Sequence, residues 1–243
     1  KYGVTKFTGY EKTKDEGKLL SLREAKDGKY LLIFDKTPFY AESGGQVGDQ
    51  GKIYSDSFEA KVLDVQKQKD IFIHTVEFEK GIAEENKTYK LEVDIVKRLD
   101  TAKNHTATHL LHKALREVVG THVQQAGSLV DSEKLRFDFS HYEALTAEQL
   151  SKIEDIVNEK IREGIEVAVS HHSIEEAKNL GAMMLFGDKY GDVVRVVDVP
   201  GFSTELCGGT HIDNIGKIGL FKIVSEGGIA AGVRRIEAKT GYG

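Results

Sequence analysis

Two short segments far apart in the sequence constrain this chain more than anything else in it. His105 and His109 stand four residues apart in a stretch with helical periodicity, so both rings project from one helix face about one turn apart. Cys207-Gly208-Gly209-Thr210-His211 places a thiol and an imidazole on either side of two glycines. Those glycines let the loop fold back so that both side chains converge. Three imidazoles and one thiolate make a mixed nitrogen and sulfur set suited to tetrahedral zinc. One Zn2+ per chain, held by His105, His109, Cys207 and His211, is the expected cofactor. Four protein donors suit a closed structural site. A loosely held donor or an expanded shell would instead let the ion orient substrate or water, and the residues fit both readings. His112 lies near the same face and reads as a bystander.

The rest of the chain supplies a framework of α+β type. Its 243 residues are long for one compact domain and comfortable for two. Residues 1–95 read mostly as β, with short runs at 18–22, 29–34, 58–65, 71–76 and 89–93 separated by turn signals, the pattern of a small barrel or sandwich. Four glycines crowd residues 43–51, a shaped loop. It lacks the Lys-Ser/Thr ending of a phosphate-binding loop. Helical periodicity runs from Asp94 to Val119, with Leu111, Ala114, Leu115 and Val118 on one face. A second helix follows Thr146, where Thr146 and Gln149 have the form of a capping box, and ends at Gly164. A third starts at Ser173 and closes at Gly181. Strands are expected at 135–139, 165–169, 193–199, 202–206, 218–224 and 233–238. The second domain is therefore placed at 96–243.

Several function classes are disfavoured. The net charge of -5 and pI near 6.0 argue against non-specific grip on nucleic acid as the main task, which calls for a basic surface. No apolar run approaches the roughly 20 residues that span a bilayer, so no membrane partner is expected. The single cysteine excludes an internal disulfide and fits a reducing, cytoplasmic setting. No His-Glu-x-x-His stretch is present, which leaves a zincin protease without support. The first residues show neither an initiator Met nor a signal sequence, and an internal fragment of a longer protein is expected.

Beyond these readings, the chain resembles a known family. Asn104-His105-Thr106-Ala107-Thr108-His109 and Glu205-Leu206-Cys207-Gly208-Gly209-Thr210-His211 are similar to the two metal motifs of the alanyl-tRNA synthetase editing domain. The likeness continues through Ala41-Glu42-Ser43-Gly44-Gly45-Gln46, Thr121–Ser128, Leu135–His141 and Ala230–Glu237, nearly the whole chain. The resemblance implies a small N-terminal β-barrel packed on a two-layer α/β editing core of the threonyl/alanyl-tRNA synthetase type. It implies hydrolysis of Ser-tRNA(Ala) and Gly-tRNA(Ala), with mischarged tRNA(Ala) and the aminoacylation and C-terminal modules of the synthetase as partners. Free-standing trans-editing proteins share the metal motifs and remain an alternative. So does a non-catalytic, zinc-stapled module that positions tRNA.

Four further site residues follow. Thr108 falls between the histidine face and the apolar face, so its hydroxyl either points into a pocket beside the metal or bonds its own backbone. Gln125, read in a loop with Gly127, is a surface residue by default and an active-site residue by resemblance. Both are the expected catalytic pair. Arg234 and Arg235 point to opposite faces if they lie in a strand. They are the expected tRNA-binding residues, one meeting phosphate or ribose, the other more readily forming an ion pair. Ester cleavage is expected to use water, with oxyanion donors from the Gly208-Gly209 backbone. His171-His172 read as a solvated pair following a strand.

Overall fold

The computed structural model describes residues 3–185 and 190–243. The chain divides into two compact units. The first runs up to Ser43 and resumes over Val47–Arg98; the second comprises Gly44–Gln46 and Leu99–Gly243.

The first unit contains β1 (Lys6–Phe7), β2 (Lys14–Glu24), β3 (Lys29–Phe34), β4 (Lys36–Thr37), β5 (Gly51–Tyr54), β6 (Glu59–Gln68), β7 (Ile71–Lys80) and β8 (Thr88–Val93). Six of these close into a barrel in the order β2-β3-β7-β6-β5-β8, which leaves no unpaired strand edge in that ring. Alternate residues point inward: on β7, Phe72, His74 and Val76 are buried while Glu77 is exposed. The lumen is filled by Leu19, Leu32, Phe34, Ile53, Val62 and Leu91, all at most 1% exposed. β5 escapes the sequence reading. Its four residues Gly51-Lys52-Ile53-Tyr54 are too short to show a period, and it is held by pairing to β6 and β8.

His74 is fully buried beside that lumen cluster, edge-on to Phe34 and Phe39. Its Nδ1 lies 3.0 Å from the Leu32 carbonyl, which can only accept, so Nδ1 carries the proton. Nε2 then accepts from the Thr37 hydroxyl at 2.8 Å. This neutral tautomer satisfies both nitrogens, and burial lowers the pKa of His74 from 6.5 to about 4. The unfolded chain binds the proton first as pH falls. His74 therefore supports the fold fully above pH 6.5, and that support is lost progressively toward pH 4, by about 3 kcal/mol in all. Denaturant unfolding of the barrel at pH 7 and pH 4.5 will show this loss, and His74→Gln will flatten it. An unchanged pH slope in that variant would assign the loss to other groups.

The second unit is reached along α1 (Ile95–Val118), followed by β9 (Gln125–Val130), β10 (Leu135–Ser140), α2 (Ala147–Glu163), β11 (Ala168–Ser173), α3 (Ile174–Asn179), β12 (Val193–Val199), β13 (Ser203–Leu206), β14 (Phe221–Ala230) and β15 (Val233–Thr240). β14-β15-β10-β9 form an antiparallel sheet, and β11-β12-β13 form a second one. One core joins Leu110, Leu111, Ala114 and Leu115 of α1, Ile153, Val157 and Ile161 of α2, and Phe137, Phe139, Phe221 and Ile236 of the first sheet. Each such side chain contributes roughly 1.5–3 kcal/mol by leaving water, so this shared face outweighs any helix propensity. α2 starts with the Thr146–Gln149 capping box and stops at Gly164 in the left-handed region (φ 63°). The chain is thus a mixed α/β protein with a six-stranded barrel. Among the described residues no helix is long and apolar enough to cross a membrane.

Three expectations require correction. The strand expected at 165–169 begins at Ala168 instead. Ile165 and Val167 spend their backbone groups on Ile215 and Asp213, and His171 and His172 lie within β11, paired with Arg195 and Val194. The strand expected at 218–224 begins at Phe221, because Ile215–Ile218 form a 3-10 turn. Gln125 opens a strand, not a loop.

Candidate metal centre

α1 carries His105 and His109 with one ring above the other, and the loop after β13 returns Cys207 and His211 to them. The four ligand atoms lie within 4.8 Å of one another. Cys207 Sγ is 3.4 Å from His105 Nε2 and 3.2 Å from His211 Nε2. Zinc bond lengths of about 2.3 Å to sulfur and 2.0–2.1 Å to nitrogen give a tetrahedral S···N edge of roughly 3.5 Å. The two S···N contacts are close to that edge, and the wider separations, up to 4.8 Å, would close in around a zinc-sized ion. His105 and His109 are 6% and 5% exposed, so this is a largely enclosed site.

Each imidazole is aimed by a partner on its other nitrogen. Gln46 Oε1 lies 2.7 Å from His105 Nδ1, Glu205 Oε2 lies 3.2 Å from His109 Nδ1, and Thr106 Oγ1 lies 3.0 Å from His211 Nδ1. Glu205 also bonds His112 Nδ1 at 2.7 Å, so His112 braces the centre through that carboxylate. Such partners fix ring orientation and raise ligand basicity. The loop itself hangs on Arg195 of β12, whose Nη1 donates to the carbonyls of Cys207 (2.9 Å) and Gly209 (2.8 Å).

The electrostatics suit a cation. Burial opposes ionisation of the Cys207 thiol, but His105, His211 and His109 outweigh it and pull its pKa well below the usual value. Burial and the neighbouring His105 and His109 push His211 down to about 3, leaving it neutral. Burial would lower His109 as well, yet Glu205 and Cys207 raise it to about 9. Glu205 stays ionised despite its burial because His109 and His112 face it. A thiolate and neutral imidazoles are the forms a metal takes; an incoming ion also displaces the proton on His109.

The remaining sequence candidates are placed as follows. Thr108 is buried on α1, and its hydroxyl donates to the Asn104 carbonyl at 2.8 Å. Gln125 is half-buried at the start of β9, opposite Phe139. Arg234 and Arg235 are neighbours on β15 and each meets a carboxylate. Arg234 Nε donates to Glu226 (2.6 Å), and Arg235 grips Asp138 through Nε (2.8 Å) and Nη2 (3.1 Å). The Gly209 amide points at Cys207 Sγ (3.4 Å), which corrects the expectation that it serves as an oxyanion donor. The sequence reading missed Gln46, Glu205, Thr106 and Arg195 as parts of this centre. Glu205 had a readable signal, since it shares a strand face with Cys207 two positions on.

Two family descriptions match the chain. Residues 194–237 match the threonyl and alanyl tRNA synthetase second additional domain, and residues 2–97 match the class II (A) tRNA synthetases. An alanine–tRNA ligase of Fusobacterium nucleatum subsp. nucleatum is 93% identical over all 243 residues, those of Listeria monocytogenes serotype 4b and Bacillus cytotoxicus 54% and 52% identical over 97% and 98% of the chain. In each case the chain spans 28% of the relative's length. With the four donors brought together as described, these matches identify the chain as a segment of the alanyl-tRNA synthetase family that includes its second additional domain.

Proposed function

We propose that this chain is the hydrolytic editing module of an alanine–tRNA ligase, a deacylase that cleaves the ester of Ser-tRNA(Ala) and Gly-tRNA(Ala). The observation that carries the reading is the convergence of His105, His109, Cys207 and His211, with every imidazole aimed by a second partner. An aminoacylation pocket built for alanine cannot exclude glycine by size, and one added hydroxyl discriminates weakly against serine, so a second hydrolytic site is needed. The editing core is assigned to 96–243, as an α/β arrangement of the threonyl/alanyl type, and the β-barrel to 1–95. The rest of the synthetase and tRNA(Ala) are its partners, and the cytoplasm, where Cys207 stays reduced, its setting.

One Zn2+ bound by the four donors would supply a Lewis acid beside the ester. The chain's own groups do the rest. Thr108 has committed its proton to Asn104, so its oxygen is left to accept a hydrogen bond from the seryl hydroxyl. Gln125 positions substrate or water. Arg234 and Arg235 keep guanidinium donors beyond those their carboxylates occupy, and these meet tRNA phosphate or the terminal ribose. Cleavage uses water, because a metal-bound thiolate is a poor nucleophile.

Thr108→Val keeps the shape and removes the acceptor. It will slow Ser-tRNA(Ala) hydrolysis more than Gly-tRNA(Ala) hydrolysis, by about 1–3 kcal/mol in the serine barrier. Equal losses would assign Thr108 to the common ester, and no loss would remove it from the site. The function itself is tested by incubating the chain at high concentration with Ser-, Gly- and Ala-tRNA(Ala). The first two will be hydrolysed and the third spared. Four protein donors also fill a tetrahedron, as in structural zinc sites, which favours a second reading as a zinc-stapled tRNA-positioning module. tRNA binding without hydrolysis of any of the three would select it.

A further inference from the structure

Gln46 is fully buried, although it lies in the chain between two strands of the first unit, β4 and β5. Its position is over-determined. Gly45 next to it has φ 88°, and a Cβ there would sit 2.5 Å from the Ser128 carbonyl oxygen. Val130 N–H donates to the Gly45 carbonyl at 2.8 Å, and Gln46 itself bridges to Val130 of β9. Residues 44–46, part of the second unit, are thus fastened to β9 and deliver one amide to the metal centre.

The orientation of that amide is fixed by chemistry. Thr210 N–H lies 2.9 Å from Oε1 and can only donate, so the atom facing it is oxygen. His105 Nδ1, 2.7 Å from the same oxygen, must then carry its proton and donate it. That leaves the lone pair of His105 on Nε2, the nitrogen that faces Cys207. The Gln46 Nε2 in turn donates to Thr210 Oγ1 at 2.7 Å, tying the same side chain to the residue between Gly209 and His211.

We infer that Gln46 is a positioning residue of the metal centre: it sets the tautomer and ring angle of His105 and locks the Gly209–His211 loop at the register in which all four donors meet. The inference rests on the metal-bound reading of the site and adds to it a contribution from the glycine-rich loop. Its test needs no catalytic turnover. Zinc affinity is measured by competition with a chromophoric chelator, and the cobalt-loaded chain is followed by its thiolate-to-metal and d–d absorption.

Gln46→Leu removes both hydrogen-bonding functions. It will lower metal affinity about 10–100-fold, the usual effect of losing an outer partner, and will perturb the cobalt spectrum. Gln46→Glu restores an acceptor for His105 Nδ1–H and Thr210 N–H, while the Thr210 hydroxyl can turn to donate to its second oxygen. This variant will stay within about threefold of the parent with the parent's spectrum. A folded Leu variant that binds zinc as tightly as the parent overturns the role. If the Leu chain does not fold, the Glu chain decides alone, and a loss of about tenfold or more there overturns it. A parent chain that takes up no ion overturns the metal reading and this role with it. A parent that binds zinc but hydrolyses nothing overturns only the deacylase reading.

Discussion

Gly209→Ala will lower metal affinity by about 100-fold or more, beyond the effect of losing any one outer partner. A Cβ at Gly209 would lie 2.2 Å from His105 Cε1, 2.4 Å from His105 Nδ1 and 2.7 Å from Gln46 Oε1. None of these atoms is the free end of a flexible side chain. His105 packs edge-on against His109 on α1, Gln46 is pinned by its bonds to Thr210, and Arg195 anchors the loop carbonyl of Gly209 itself. The methyl group must therefore drive out a metal ligand or lift the loop. No core side chain is involved, so the metal-free variant will keep the parent's far-ultraviolet circular dichroism. Equal zinc affinity in chelator competition would mean that the loop moves freely and that the site is not the packed assembly described above.

Cys207→Ser will abolish high-affinity zinc binding and the thermal stabilisation that zinc confers. The hydroxyl of serine does not ionise near neutral pH, so the centre loses its one anionic donor. The three imidazoles that hold the thiol ionised then lose the negative charge at their centre. A ligand present at 1,000 times its dissociation constant stabilises the folded form by about 4 kcal/mol. The parent will gain unfolding free energy of that order on adding zinc, with its unfolding midpoint raised, and the variant will show almost none. Deacylation will fall in parallel. Activity that survives with zinc affinity lost would separate the metal from the chemistry.

How far each feature could be read from the sequence depended on whether its cause was local. α1 was legible because a long amphipathic period is carried by its own residues, and the two histidines ride on that period. The Thr146 and Ser173 capping boxes were legible for the same reason, each being complete within four residues. β9 was not. Gln125-Ala126-Gly127-Ser128 has no strand propensity, and it is extended because β10 and Gln46 supply its partners. β11 starts late because residues 165–167 find backbone partners in 213–215 that no local pattern announces. At the site, the four donors were recognisable by chemical type and spacing. Gln46 lies in a glycine-rich loop with no local pattern to mark it, and its partners are residues distant in sequence. Thr108 illustrates a different limit. Its hydroxyl was read as pointing either to the helix backbone or to a pocket, yet one oxygen can donate to Asn104 and still accept from a ligand.

The proposed editing hydrolysis depends on a metal held by these four residues. Single-turnover hydrolysis of Ser-tRNA(Ala) tests it most directly, with the chain as purified, stripped by chelator, and restored with one equivalent of zinc. Activity is expected in the first and third preparations and its loss in the second. Undiminished hydrolysis by the stripped chain, verified metal-free by elemental analysis, would contradict it.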